Sequence, residues 1–148
     1  MLSKKLSILP GSEAVFLPIK PRFMKLILSG KKQVEYRRKP PRRPISLVVL
    51  YESSPTKRIV GLAVAACVMC GAADQIWAET RKIGGIAKKE FDSYFRKSES
   101  VCVLKLGRVV KLSVSIPVSK IRRGFKIPQS YRYIDKKFID RIYNENTT

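Results

Sequence analysis

Residues 20–43 read KPRFMKLILSGKKQVEYRRKPPRR, and this stretch carries the features that decide the fold. Pro21 suits the first turn of a helix, because its missing amide hydrogen is not needed there. Phe23, Leu26 and Ile27 follow at helical spacing and predict one apolar helix face. Gly30 can then end the helix in the left-handed conformation. The stretch therefore begins with a short helix that packs one face against a core.

A charged strand is predicted after the glycine, over residues 32–38. Alternate residues of a strand point to the same face, so Glu35 and Arg37 share one face. Lys32 stands at the entrance of the strand, where its flexible ammonium group can reach the same cavity. One interpretation is a cleft lined by these three side chains. The other is a solvated surface pair, which contributes little to stability.

The spacing G-x-K-x-x-E-x-R, formed by Gly30, Lys32, Glu35 and Arg37, resembles that of the ASCH domain family. Later segments also resemble its bacterial single-domain branch: 19–21 (IKP), 51–55 (YESSP), 59–61 (IVG), 76–77 (IW) and 128–133 (PQSYRY). The resemblance implies an α+β, mainly β fold, namely a PUA-like mixed β-barrel of about five or six strands with flanking helices. It also implies an association with RNA.

The length of 148 residues predicts one domain, large enough to bury a core without stabilisation by disulfides or metal ions. We expect a mobile lead-in over residues 1–12, the ASCH/PUA-like domain over 13–134, and a C-terminal helix with a frayed tail over 135–148. No apolar run is long enough to span a bilayer, and the N-terminus lacks a secretory pattern. We therefore expect a cytoplasmic protein without a membrane partner.

Apolar patterning predicts the remaining elements of the domain. Strands are expected over 14–19, 45–51 and 59–70, with closing strands over 101–116 that bend near Gly107. Helices are expected over 72–83, 86–95 and 135–143.

The charge is strongly positive, with 31 Lys and Arg residues against 11 Asp and Glu residues, a formal net charge of +20. Such a field attracts polyanions, and it favours a nucleic-acid partner over a general solubility charge. Residues 38–44 (RKPPRRP) form a stiff basic loop beside the predicted cleft, which favours phosphate contacts over a plain charged loop. RNA is the expected partner. DNA is allowed by charge, although no helix-turn-helix pattern supports it, and the oligomeric state is not indicated.

The residues expected to bind RNA are basic side chains of the cleft and the loop, together with polar side chains at the predicted barrel rim. A plain turn is the alternative for the rim segment 52–55. The expected RNA-binding residues are Lys20, Lys31, Lys32, Arg37, Arg38, Lys39, Arg42, Arg43, Ser53, Ser54, Gln129, Ser130 and Arg132.

The sequence contains no histidine, which excludes a histidine general base and histidine metal ligands. The family resemblance nevertheless implies an alternative function, because some ASCH relatives are ribonucleases or amidohydrolases that act on N4-acetylcytidine. By that resemblance Lys32 is expected to be the base or nucleophile. On chemical grounds Glu35 can orient it or shuttle its proton, and Arg37 can hold a phosphate or oxyanion. Glu35 stands where the amidohydrolase branch has threonine, which weakens the amidohydrolase hypothesis more than the ribonuclease one.

Three cysteines complete the set of chemically active residues. Cys67 and Cys70 form a C-x-x-C, yet on one strand their sulfurs face opposite sides, and a structural zinc site needs about four ligands. We interpret these two residues and Cys102 as small core side chains in a reducing compartment. We expect neither a metal nor a cofactor.

Overall fold

Six strands and four α-helices form the fold within residues 5–147, which are the residues that this computed structural model describes. The strands are β1 (Glu13–Ile19), β2 (Val34–Arg37), β3 (Ile45–Glu52), β4 (Arg58–Gly71), β5 (Val101–Ile116) and β6 (Arg132–Ile134). The helices are α1 (Pro21–Leu28), α2 (Ala73–Thr80), α3 (Lys88–Tyr94) and α4 (Lys136–Thr147). The α+β, mainly β fold expected from the sequence is confirmed.

The strands form one sheet in the order β2-β5-β4-β3-β1-β6. Strands β1 and β3 are parallel, and the other neighbouring pairs are antiparallel. The sheet is barrel-like but not closed, with β2 and β6 as its edges. A side-chain contact spans the open seam, because the Arg37 guanidinium at the end of β2 donates to the Ser130 hydroxyl just before β6. The seam is where the candidate site lies.

Helix α1 begins at Pro21 and is followed by Gly30 at a φ of +83°, as the sequence predicts. The predicted apolar face is only partly correct. Met24 and Ile27 are the buried residues of α1, whereas Phe23 and Leu26 are partly exposed. Apolar residues surround much of this short helix, so the spacing alone does not determine which of them faces the sheet.

The predicted closing strands form one continuous strand, β5. An irregularity in the pairing of β4 with β5 lies where the bend is predicted, because the register shifts between the pairs Ala63–Val109 and Ala65–Leu106, on either side of Gly107. Strand β5 pairs with β2 along its first part and with β4 along nearly its whole length. This long strand therefore carries the charged strand β2 at the edge of the sheet.

Both ends of the described chain pack on the domain. The helix expected over 135–143 continues to Thr147, into the segment expected to be a frayed tail. The Asp135 carboxylate caps the start of this helix by accepting a hydrogen bond of 3.0 Å from the Phe138 amide. Leu6 is buried, and its backbone N–H and C=O both bond to the Tyr143 hydroxyl. The lead-in expected over residues 1–12 thus contributes to the core from Leu6 onward, and residues 1–4 lie outside the described residues.

The interpretation of the cysteines as core side chains is correct for Cys102, which is buried, and wrong for Cys67 and Cys70, which are exposed. Cys70 and Cys102 form a disulfide, and Cys67 is a free, exposed cysteine. The pairing follows from the register, because Cys70 of β4 lies directly opposite Cys102 of β5. Sequence spacing does not show this neighbour relationship, which exists only once the two strands pair.

Candidate functional site

A cavity of about 230 Å³ lies at the open seam of the barrel, between the start of α1, strand β2 and helix α3. Its lining combines cationic, acidic and aromatic side chains. The lining residues are Pro18, Ile19, Lys20, Arg22, Phe23, Lys32, Glu35, Tyr36, Ile86, Glu90 and Tyr94. Two of the three residues that the sequence places around a cleft, Lys32 and Glu35, line this cavity together.

Lys32 is buried, with only 3% of its surface exposed. Its ammonium group donates a hydrogen bond of 2.6 Å to the backbone carbonyl of Gly84. The same nitrogen lies 5.1 Å from the Phe23 ring centroid and 5.0 Å from that of Tyr36. Desolvation by burial lowers the pKa of Lys32, although the nearby Glu35 carboxylate opposes this shift. The neutral amine is therefore more accessible here than on an exposed lysine.

Glu35 alternates with the buried residues Val34 and Tyr36 and turns its carboxylate into the cavity. Its Oε1 lies 4.0 Å from a guanidinium nitrogen of Arg37. Its Oε2 is buried and has no hydrogen-bond partner among the described residues. Burial raises the pKa of Glu35, and the charges of Lys32 and Arg37 partly oppose the increase. Burial therefore moves the pKa values of Lys32 and Glu35 towards each other.

Arg37 lies beside the cavity rather than in its lining. In addition to its contacts with Glu35 and Ser130, its guanidinium lies 5.7 Å from the Tyr131 ring centroid. Arg37 also lines a second, much smaller apolar cleft of about 20 Å³ together with Tyr131 and Cys102. The arginine thus connects the Glu35 carboxylate to the residues that precede β6.

A turn after α2 holds Lys32 in place, and sequence reasoning missed its role. Gly84 supplies the carbonyl that accepts from Lys32, and a Cβ at that position would lie 2.1 Å from the Tyr36 hydroxyl oxygen. The Tyr36 hydroxyl in turn bonds to the Thr80 hydroxyl at 2.7 Å, and Thr80 donates to the Ile76 carbonyl. The Gly84-Gly85 pair in the sequence signals a helix break, but it does not indicate which side chain approaches it.

Sequence reasoning also missed an ion pair at the mouth of the cavity. Arg22 of α1 and Glu90 of α3 form a bidentate pair, and both side chains are partly exposed. The pair lowers the pKa of Glu90 and adds a second carboxylate close to Lys32. Only the packing of α3 against α1 brings these residues together, 68 positions apart in the sequence.

Two arginines of the basic loop between β2 and β3, residues 38–44, pack on tyrosine rings. Arg38 donates to the Tyr94 carbonyl at 2.9 Å and lies over that ring at 4.1 Å. Arg43 lies 4.6 Å from the Tyr133 ring centroid and pairs with Glu13 at 3.2 Å. Lys39 and Arg42, in contrast, are exposed.

The other expected RNA-binding residues are spread around the seam. Ser130 meets Arg37, Lys20 lines the cavity, and the Ser53 amide bonds to the Ile19 carbonyl beside it. Lys31, Ser54 and Gln129 are exposed. Arg132 does not join this group, because it lies 3.9 Å from the Phe125 ring centroid and donates to the Lys126 carbonyl. In β6 its side chain alternates with Tyr131 and Tyr133 and so occupies the opposite face.

No group of three His, Cys, Asp or Glu side chains within residues 5–147 is arranged to hold a metal ion. Across the same part of the chain, no helix is both long and apolar enough to cross a membrane. The charged and aromatic side chains that line the cavity are those of two lysines, one arginine, two glutamates, one phenylalanine and two tyrosines.

The comparisons with known proteins place the chain in a family. A curated protein of Zymomonas mobilis subsp. mobilis, named ASCH domain-containing ribonuclease, is 26% identical over 140 residues, which cover 90% of this chain and 93% of that protein. A large ribosomal subunit protein uL22 of Ureaplasma parvum is 25% identical over 83% of this chain but only 40% of its own length. The crystal structure of a serine-to-alanine variant of the Zymomonas mobilis ASCH protein superimposes with a TM-score of 0.83 at 23% identity, covering 93% of this chain and 99% of that one. The family model of the ASCH domain matches residues 17–109. This chain belongs to the ASCH domain family and has its PUA-like fold.

Proposed function

We propose that this protein binds RNA at the open seam of its barrel, with one unstacked nucleotide in the cavity and the neighbouring phosphates on the basic loop. One observation carries the proposal: the buried Lys32 ammonium group and the Glu35 carboxylate, one of whose oxygens is buried, lie together in the lining of an open cavity of about 230 Å³. Buried charged groups are costly to keep, so their retention around an open cavity supports a binding role.

The shape of the cavity supports a nucleotide as its ligand. Its volume lies below the range of drug-sized ligand pockets, which begins at roughly 300 Å³, so a single base with part of its sugar is a better match than a larger molecule. Proteins read single-stranded RNA by hydrogen bonds to base edges and by contacts with aromatic side chains. Lys32 and Glu35 supply the polar groups, and Phe23, Tyr36 and Tyr94 supply the aromatic ones.

The charge distribution supports the phosphate contacts. The net charge of +20 attracts a polyanion over the whole surface, whereas the loop over residues 38–43 concentrates four basic side chains at the seam. Arg38 and Arg43 are ordered by tyrosines, and Lys39 and Arg42 extend into solvent. The names of the two curated relatives, a ribonuclease and a ribosomal protein, agree with an RNA partner.

A second candidate function is RNA cleavage, which two observations favour. The relative that matches over 93% of its length is named a ribonuclease, and the pKa of Lys32 is lowered while that of Glu35 is raised. A neutral Lys32 amine would take the proton of a ribose 2′-hydroxyl, whose oxygen attacks the adjacent phosphorus. The bond from phosphorus to the 5′-oxygen breaks, protonated Glu35 gives that oxygen its proton, and Arg37 neutralises the phosphate. The products are a 2′,3′-cyclic phosphate and a 5′-hydroxyl. Hydrolysis of an acylated nucleoside and binding of DNA stay predictions.

The test uses labelled single-stranded RNA with the parent protein, with Lys32→Ala, and with Lys137→Ala as a control for the loss of one exposed lysine. Fluorescence anisotropy measures binding, and denaturing gels follow cleavage. We expect the parent and the control to bind equally and Lys32→Ala to bind more weakly. Cleavage that Lys32→Ala alone loses would support the ribonuclease mechanism. Failure of the parent to bind RNA at physiological salt would contradict the proposed function.

A further inference from the structure

The Glu35 carboxylate has one oxygen that the protein does not satisfy. Arg37 approaches Oε1 at 4.0 Å, whereas Oε2 is buried and lacks a hydrogen-bond partner among residues 5–147. Leaving a buried acceptor unpaired is unfavourable, and more so when the acceptor is charged. Glu35 lines the cavity and its side chain is 17% exposed, so a ligand in the cavity can bring a donor to this carboxylate. A carboxylate of this kind selects ligands that carry an N–H group.

Lys32 lines the same cavity and provides a hydrogen-bond donor, whereas Glu35 provides an acceptor. Its ammonium group has three hydrogens, and the Gly84 carbonyl accepts one of them. Within residues 5–147 the nitrogen makes no second hydrogen bond, so the other two hydrogens are available to a ligand acceptor. The cavity therefore presents an acceptor and a donor side by side on residues three positions apart.

We infer that this cavity is selective for guanine, resting on the proposed RNA-binding function. The Watson–Crick edge of guanine carries two adjacent N–H donors, at N1 and N2, next to the O6 carbonyl. The N–H donors face the free Glu35 oxygen while O6 accepts from Lys32. Adenine and cytosine each place one amino group beside a ring-nitrogen acceptor, and uracil has a single N–H between two carbonyls. Guanine alone among the four bases offers the carboxylate two N–H donors on adjacent atoms beside an acceptor for Lys32.

Selectivity for a base and general affinity for RNA come from different residues of this protein. Phosphate contacts from the basic loop act on every sequence equally, whereas Glu35 and Lys32 act on the base. A site built to bond a ligand N–H discriminates strongly against an analogue that lacks it, because the buried polar group is then left unpaired. Loss of one hydrogen bond to a charged group corresponds to about a tenfold or greater loss of affinity.

The experiment measures the binding of oligoadenylates of about nine nucleotides whose central residue is guanosine, inosine, cytidine, uridine or adenosine. Denaturing gels after each titration confirm that the RNA is intact. We expect the guanosine oligomer to bind about tenfold more tightly than the all-adenosine oligomer. Inosine, which keeps N1–H and O6 but lacks the N2 amino group, is expected to lie between them.

The variant Glu35→Gln separates base reading from phosphate binding. We expect the ratio of the guanosine affinity to the all-adenosine affinity to fall from about tenfold to about one. Asp92→Asn, which removes an exposed carboxylate paired with Lys88 on α3, should keep the preference. Equal affinities for all five oligomers in the parent, or an unchanged guanosine preference in Glu35→Gln, would overturn the inference while leaving the RNA-binding proposal intact. Absence of binding to every oligomer would instead contradict both.

Discussion

The Lys32 ammonium group donates a hydrogen bond of 2.6 Å to the carbonyl oxygen of Gly84, 52 residues further along the chain. The bond fixes a buried cation in a cavity that also contains the Glu35 carboxylate. Lys32 lies two residues before β2, and the turn after α2 contains the carbonyl that accepts its hydrogen bond. The candidate site therefore depends on the docking of the α2–α3 segment against the edge of the sheet.

Substitution of Gly84 tests this dependence. A Cβ at Gly84 would lie 2.1 Å from the Tyr36 hydroxyl oxygen, so we expect Gly84→Ala to destabilise the fold by about 1–3 kcal/mol. We also expect weaker RNA binding, because the carbonyl that holds Lys32 must move. Urea denaturation and fluorescence anisotropy measure the two effects. Gly107→Ala is the control, since its Cβ would meet only the Val64 side chain at 3.3 Å. Equal effects of the two substitutions would contradict this account.

The buried carboxylate predicts a pH-dependent stability. Burial raises the pKa of Glu35 above its usual value, so between the two pKa values the folded state binds more protons than the unfolded state. The free energy of unfolding then falls as the pH rises through this window. We expect Glu35→Gln to gain stability relative to the parent from about pH 4 to about pH 8.

Chemical denaturation of both proteins at the two pH values measures this difference. The control is Asp92→Asn, whose carboxylate is exposed. A difference between Glu35→Gln and the parent that shrinks as the pH rises would show that the Glu35 carboxylate is not destabilised by burial.

Because of the disulfide between Cys70 and Cys102, we expect the free energy of unfolding to depend on reducing agent. The disulfide closes a loop between residues 32 positions apart, and restricting the unfolded chain in this way contributes about 3–4 kcal/mol. We therefore expect Cys70→Ser, or treatment with a reducing agent, to lower the free energy of unfolding by about this amount. Cys67→Ser is the matched control, because Cys67 is exposed and outside the disulfide. Urea denaturation that shows the same stability for Cys70→Ser and Cys67→Ser would contradict the assignment.

The basic loop predicts the salt dependence of RNA binding. Charge reversal at Arg38, Lys39, Arg42 and Arg43 together should weaken binding and flatten its dependence on salt, by about 0.7 in the logarithmic slope for each lost phosphate contact. The double variant Lys39→Glu with Arg42→Glu is the sharper test. Both residues are exposed, whereas Arg38 and Arg43 also pack on tyrosines.

Anisotropy titrations at several salt concentrations measure both the affinity and the slope. Reversal of two exposed lysines outside the loop, Lys111 and Lys137, changes the net charge equally. If this control lowers the affinity and slope as much as the loop variant does, the loop is not the phosphate contact.

Local patterns were sufficient to predict much of the fold. Pro21 and Gly30 mark the ends of the first helical segment, and the alternation of Val34 and Tyr36 with Glu35 identifies the charged strand and its buried face. These signals depend on short-range geometry, in which a residue's conformation follows from its own type and its near neighbours. The resemblance to the ASCH family, carried by the same stretch, supplied the barrel topology that spacing alone does not give.

Long-range neighbours could not be predicted in the same way. The Cys70–Cys102 disulfide, the Arg22–Glu90 pair and the Gly84 acceptor each join residues brought together only by strand pairing or helix docking. Arg132, expected to bind RNA together with the residues near Lys32, is separated by the alternation along β6 from Tyr131 and Tyr133. Short-range patterns therefore predicted that Lys32 and Glu35 lie together, but not which groups contact them.

The most direct test of the central claim locates the bound nucleotide by photo-crosslinking. A single-stranded RNA with one photoreactive nucleotide is irradiated with the parent protein, and mass spectrometry maps the modified residues. The account predicts adducts on the walls of the cavity, on residues 20–23, 32–36 and 86–94, and predicts that Lys32→Ala reduces them. Adducts spread over the basic surface with none on these segments would contradict the claim that the cavity holds a nucleotide.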